Sequence, residues 1–186
     1  MGDFREMTLT DIANIVLEEI GVKAIGSIDG DDVFARKIKR RLPITIAEVS
    51  GKRDWSCLIH DIELSRTEEK ASDGSSKFNL PRNILRIISP RECRIEGDFV
   101  LFNGENLTIK CTLYEDNPDK WNINLQLAII AQLKADICFA VTGDAQLALN
   151  LKRLAQTDIE RYMKNDIIQS RKSRRNPPLL AEDYFI

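Results

Sequence analysis

The sequence predicts an α+β protein: mainly an α-helical bundle of about four helices, a small antiparallel β subdomain inserted between helices 2 and 3, and an extended C-terminal tail. Three observations carry this. Apolar residues recur at helical spacing up to residue 50 and again from 122 to 171. Between 56 and 115 the period shortens toward two, with turn residues at short intervals. Pro177-Pro178 then ends any helix, because proline lacks the N–H that a helix interior uses. The helical domain is expected over 1–55 and 117–175, the β-rich insertion over 56–116 and the tail over 176–186.

Each element has its own local reason. Thr8 or Thr10 offers an N-cap for the first helix, with Asp11 in its first turn; Ile12, Ile15, Val16 and Ile20 share a face, and Gly21 supplies a C-terminal stop. A loop over 22–31 follows, pinned by Ile25 and Ile28. The second helix spans 32–50 with Val33, Ala35, Ile38, Leu42, Ile46 and Val49 inward. Pro43 is expected to kink it or split it in two. The cations from Arg36 to Arg41 read as a solvated face interrupted by Ile38 and Leu42.

In the insertion, residues 57–65 read as one strand, and the polar residues 66–76 read as a mobile loop. Short extended pieces follow around Phe78 and Ile84, then strands near 92–95, 99–102 and 107–113. The Asn103-Gly104 pair predicts a type I′ hairpin between the last two. Residues 122–141 are apolar nearly all round, as in a central buried helix. Thr142-Gly143-Asp144 breaks that helix. The last helix, 144–171, is expected to bury Leu147, Leu151, Leu154, Ile159, Tyr162, Met163 and Ile167. Arg171, Lys172, Arg174 and Arg175 at its end form a candidate basic patch that suits the negative pole of the helix dipole.

Composition narrows the function classes. At 186 residues the chain reads as one domain that buries roughly 70% of its unfolded surface, so it needs no disulfide or metal to fold. The 27 Lys plus Arg against 29 Asp plus Glu argue against a strongly basic nucleic-acid clamp. The apolar run at 128–131 stops at Gln132 and Lys134, so no membrane span is expected. The first residues lack a signal-peptide pattern, and Glu6 breaks the myristoylation motif. Cys57, Cys93, Cys111 and Cys138 stand singly, as reduced thiols in apolar surroundings do. Cys57 and His60 share C-x-x-H spacing, but on one strand they would point to opposite faces, against a zinc site.

Catalytic equipment is sparse. His60 is the one histidine; its neighbour Asp61 would point away from it, and a hydrolase would need a pocket around His60. Asp29, Asp31 and Asp32 resemble a calcium loop, but Arg40 occupies the twelfth position, where the acidic ligand belongs. No cofactor, no metal and no enzymatic activity are expected. Interaction is the stronger theme. Pro177, Pro178, Leu179, Leu180, Tyr184, Phe185 and Ile186 make an apolar tail that either folds back on its own core or reaches a neighbouring subunit or partner.

Several strings in order carry a resemblance: Leu9-Thr-Asp-Ile-Ala-Asn14, Ile20-Gly21, Ile25-Gly-Ser-Ile-Asp29, the helix containing Pro43 before Trp55, Phe78-Asn-Leu-Pro81, Leu85-Arg86-Ile87, Arg94-Ile95-Glu96-Gly97, Tyr114, Pro118-Asp119-Lys120-Trp121, and the Thr142-Gly143-Asp144 break. Over about 8–175 the chain resembles the head-to-tail adaptors of short-tailed bacteriophages, also called tail tubular protein A, gatekeeper or head-completion proteins. Lys134 and Asp136 depart from the family's more Ala- and Leu-rich penultimate helix, and nothing after Arg175 aligns. The resemblance implies a structural virion protein, assembled in the host cytoplasm. It would form a ring, commonly of twelve copies, under the portal protein. Double-stranded DNA would pass through the ring without sequence-specific binding, and the tail nozzle and fibres would dock on it. It implies the tail as the portal contact, and makes Glu68, Lys70, Asp73 and Ser75 in the 66–76 loop candidates for nozzle or fibre contact. The alternative is a DNA-binding assembly regulator using the basic helix faces at 36–41 and 171–175.

Overall fold

Thr8 decides where the first helix begins. In the structure, a computed structural model describing residues 7–175 with side chains through Arg171, the Thr8 hydroxyl accepts from the Asp11 N–H at 3.1 Å and the Asp11 carboxylate accepts from the Thr8 N–H at 2.9 Å. This reciprocal box starts α1 (Leu9–Glu19). Gly21, at φ 74°, ends it; the Gly21 and Val22 N–H groups donate back to Glu18 and Leu17, so the last carbonyls are satisfied. Thr10 instead braces the following loop, its hydroxyl accepting from the Ile28 N–H at 3.2 Å. The Asn14 amide holds both backbone groups of Ile25, at 2.8 and 3.0 Å, and pins the loop before the next helix.

Asp32 caps α2 (Val33–Lys52), which runs unbroken through Pro43. Of the kink or split expected at Pro43, the split does not occur. Pro43 lies on the exposed face, where water can satisfy the carbonyl it leaves unbonded, while Ile38, Leu42, Ile46 and Val49 anchor the turns on either side in the core.

A 3-10 turn, Ser56–Leu58, precedes the strands, so Cys57 does not share a strand with His60. Seven strands follow: β1 (Ile59–Leu64), β2 (Arg66–Lys70), β3 (Ser76–Asn79), β4 (Ile84–Ser89), β5 (Arg94–Glu96), β6 (Phe99–Phe102) and β7 (Leu107–Leu113). They form two antiparallel sheets, ordered β1-β7-β4 and β2-β3-β6-β5. Two expectations are corrected here. Residues 66–76 are not a loop; most of them form β2 and a five-residue turn into β3, with Gly74 at φ 84°. Asn103-Gly104 is not a hairpin turn, because β6 and β7 lie in different sheets and neither residue has positive φ. The tight hairpin is the one between β5 and β6, with Gly97 at φ 59° in the first loop position, where a type II′ turn takes glycine. Leu64, Phe78, Val100, Leu107, Ile109 and Cys111 from both sheets meet in one small apolar core.

Trp55 and Trp121 mark the entry to and exit from the β insertion. Both are buried in the helical core; their indole N–H groups donate to the carbonyls of Val49 and Glu115, each at 2.9 Å. Asn122 then caps α3 (Ile123–Thr142), which packs on α1, α2 and α4 (Ala145–Arg175). By length and composition α3 could cross a membrane, yet half of its most apolar stretch is buried inside this bundle. It is central, as expected, although Ile123 and Phe139 are exposed.

The inward face of α4 is rotated from the expected stripe. Ala148, Ala155, Ile159, Met163 and Asp166 are buried, whereas Leu154 and Ile167 face out. A seam of mostly small residues goes with it: Ala131 and Ala135 of α3 meet Ala155 of α4, with Leu151 packed against them.

Candidate functional site

The α3–α4 hairpin presents two different apolar ends. Where α3 gives way to α4, Gly143 adopts φ 75°, the Thr142 hydroxyl donates to the Cys138 carbonyl at 2.8 Å, and the Asp144 carboxylate accepts from the Leu147 N–H at 2.8 Å. This double cap turns the chain sharply and leaves Phe139 59% exposed beside Ala145, Ala148, Leu149 and Lys152, which line an open groove of about 320 Å³. Lys37 of α2 donates to the Ala140 carbonyl here, with its ammonium 5.9 Å from the centre of the Phe34 ring. Arg36 and Arg40 lie beside it.

At the other end, Ile123, Ile167 and Ile168 are exposed. The Asn124 amide donates to Gln169 at 2.8 Å and holds the start of α3 against α4. Below them sits Asp166, only 3% exposed. Its carboxylate accepts from the Ser56 N–H at 2.9 Å, from the Ser56 hydroxyl at 2.7 Å and from the Asn122 amide, so one side chain ties α4 to the 3-10 turn and to the α3 cap. Beside this node, Arg53, Asp54, Trp55, Met163, Ile167 and Arg171 border a cleft of about 340 Å³. Asp54 is engaged by Arg86. The 20 residues of α3 put the two ends roughly 30 Å apart.

Lys134 and Asp136, the polar residues of α3, hold the bundle together. Lys134 pairs with Glu19 of α1 at 2.6 Å. The Asp136 carboxylate accepts from Arg41 at 2.9–3.0 Å, from the Thr45 hydroxyl at 2.8 Å and from Gln132 at 2.9 Å.

Of the residues expected to contact partners, Glu68 and Lys70 are exposed, on strand β2 rather than a loop. Asp73 is exposed but occupied: the Ser75 N–H and hydroxyl hold its carboxyl below the usual carboxylate range, helped by Arg94. Ser75 is buried, which removes it as a contact, because its turn folds onto the sheet. Arg171 is exposed at the cleft, and Lys172, Arg174 and Arg175 continue along α4, their side chains outside the described residues. Pro177, Pro178, Leu179, Leu180, Tyr184, Phe185 and Ile186 also lie outside the described residues.

The chemistry-bearing side chains are dispersed. His60 and Asp61 are exposed neighbours on β1. Asp29 pairs with Lys39, and Asp32 caps α2. Burial pushes the Cys57 thiol up, and the Asp166 charge adds to the effect. Among the described residues, no three His, Cys, Asp or Glu side chains gather where they could hold a metal ion. The two apolar ends and the cleft escaped sequence reasoning, because Phe139 and Ile167 read as core residues; the available signal was an α3 with apolar residues on more sides than three neighbouring helices can cover. No protein-family model matches this chain, and no curated protein matches it.

Proposed function

We propose that the chain is a structural subunit of a ring: a head-to-tail adaptor that sits under the portal of a short-tailed bacteriophage, extends the DNA channel and docks the tail nozzle or fibres. One observation supports this best. A ring joins unlike surfaces, so each subunit must carry two different faces. The α3–α4 hairpin exposes one apolar face fringed by cations at Phe139, Leu149 and Lys152, and another at Ile123, Ile167 and Ile168. The Thr142-Gly143-Asp144 string, one of those that carry the resemblance, forms the turn between the two helices. Twelve copies at −2 each carry −24, a sign that favours passage of DNA over retention. In this reading 177–186 reach the portal, and the exposed Glu68 and Lys70 contact the nozzle or fibres.

The DNA-binding alternative draws on the cations of α2 and on those at 171–175; on α2, few of them are free. Arg41 is committed to Asp136 and Glu48, Lys39 to Asp29, and Lys37 to the Ala140 carbonyl. That leaves Arg36 and Arg40 on α2, with Arg171, Lys172, Arg174 and Arg175 at the end of α4; six such phosphate contacts would give a log–log salt slope of about −5.

Imaging the full chain with portal rings tests the proposal. The expected result is a ring of subunits capping the portal, lost when 177–186 are deleted although the remaining chain stays folded. Absence of a cap, or tight duplex-DNA binding with a salt slope of about −5 or steeper, overturns it.

A further inference from the structure

We infer that, as long as no partner draws it away, this chain's own segment 176–186 is docked in cis in the cleft beside Asp166. The proposal rests on the helical domain alone and not on the adaptor reading.

The cleft has the right chemistry. Met163, Ile167 and Trp55 supply its apolar wall. Arg53 and Arg171 flank it, and among the described residues neither has an ion-pair partner. The carboxylates that border it are engaged already, Asp54 by Arg86 and Asp166 by Ser56 and Asn122. What remains is an apolar trough with two spare cations. The segment that follows α4 has the complementary pattern: Leu179-Leu180, then the acidic pair Glu182-Asp183, then Tyr184-Phe185-Ile186.

Reach selects the same site. Ile167 lies eight residues, about 12 Å along the axis, before the end of α4. Leu179 and Leu180, four and five residues past Arg175, extend back about 13–18 Å. Pro177-Pro178 cannot prolong the helix, so the chain leaves the axis where such a reversal must begin. The groove at Phe139 and Leu149 is a poor alternative for the same segment. It lies 26 residues, about 39 Å, up α4, and eleven residues span at most about 36–40 Å when fully extended, leaving none to seat. In the docked state Leu179 and Leu180 cover Met163 and Ile167, and Glu182 and Asp183 lie near Arg53 and Arg171.

The chain contains three methionines, Met1, Met7 and Met163, so methionine-methyl NMR of the full-length protein gives a single reporter in the cleft. We expect the Met163 methyl signal to move in the variant L179D/L180D while that of Met7 stays in place. Its wild-type position should not change on tenfold dilution, as cis docking requires. R53E/R171E should release the segment, and adding E182K/D183K should restore the wild-type signal. A Met163 signal identical in wild type and L179D/L180D overturns the proposal, as does one that shifts on dilution, which would mark docking between copies. No portal is present in this experiment, so its outcome is separate from that of the ring assay.

Discussion

Replacing Asp166 by alanine removes one carboxylate and unties three pieces of chain. The side chain is 3% exposed and accepts two bonds from Ser56 and one from Asn122. Hydrogen bonds to a charged group contribute about 1.5–3 kcal/mol each when their loss strands a buried partner. Ser56 is an exposed residue, so water recovers part of its two bonds, whereas the Asn122 amide is half-buried at the start of α3. Weighing these, D166A should cost about 3–4 kcal/mol. In urea, with a slope of about 2 kcal/mol/M for a chain of this size, the midpoint should fall by about 1.5–2 M with the slope unchanged. D166N retains one carbonyl acceptor and should lose about half as much. A double-mutant cycle with S56A should give a coupling of about 1 kcal/mol or more. A loss below about 1 kcal/mol for D166A, or additivity with S56A, would refute the reasoning that this node joins α4 to the β insertion.

Two further outcomes follow from local geometry. Gly143 holds φ 75° with no atom within 4 Å of where a Cβ would sit, so G143A meets only backbone strain. It should cost about 1–2 kcal/mol and lower Tm by roughly 2–8 °C in calorimetry; an unchanged Tm would contradict the left-handed cap. Asp73 is held below the ordinary carboxylate range by Ser75 and Arg94. Its contribution to the β2–β3 turn should therefore be complete above about pH 4 and lost as pH falls through the lowered native value. Carboxyl NMR titration should find Asp73 below the ordinary range, and S75A or R94A should raise it; titration at the ordinary value would disprove the contact.

What the sequence disclosed was largely local physics. The Thr8–Asp11 box, the Gly21 and Gly143 stops and the Ile38–Leu42 face of α2 depend on residues within a turn of one another, and all stand in the structure. The misreadings arise where distant neighbours decide. Asn103-Gly104 carries a strong local hairpin signal, but β6 pairs with β3 and β5 while β7 pairs with β1 and β4, so the chain must change sheets there. Strand β2 has little apolar alternation because almost all of it faces outward, and its polar sequence looks like a loop. Along α4, large residues drew attention to Leu154 and Ile167, while the helix interface is made by alanines, whose signal is the absence of bulk. The candidate site was the least legible part, since a cleft between Arg53 and Arg171 joins positions more than a hundred residues apart.

The four-stranded sheet has a consequence for how copies of this chain can meet. Its borders are β2, Arg66–Lys70, and β5, Arg94–Glu96. Both are short, and their outward positions carry Arg66, Glu68, Glu69, Lys70, Arg94 and Glu96, with Ile95 as the one exposed apolar side chain between the charges of β5. A strand from another molecule would have to desolvate those charges to zip alongside, which makes the borders deaf to strand addition. Crowding many copies together therefore does not tempt this sheet into open-ended ribbons.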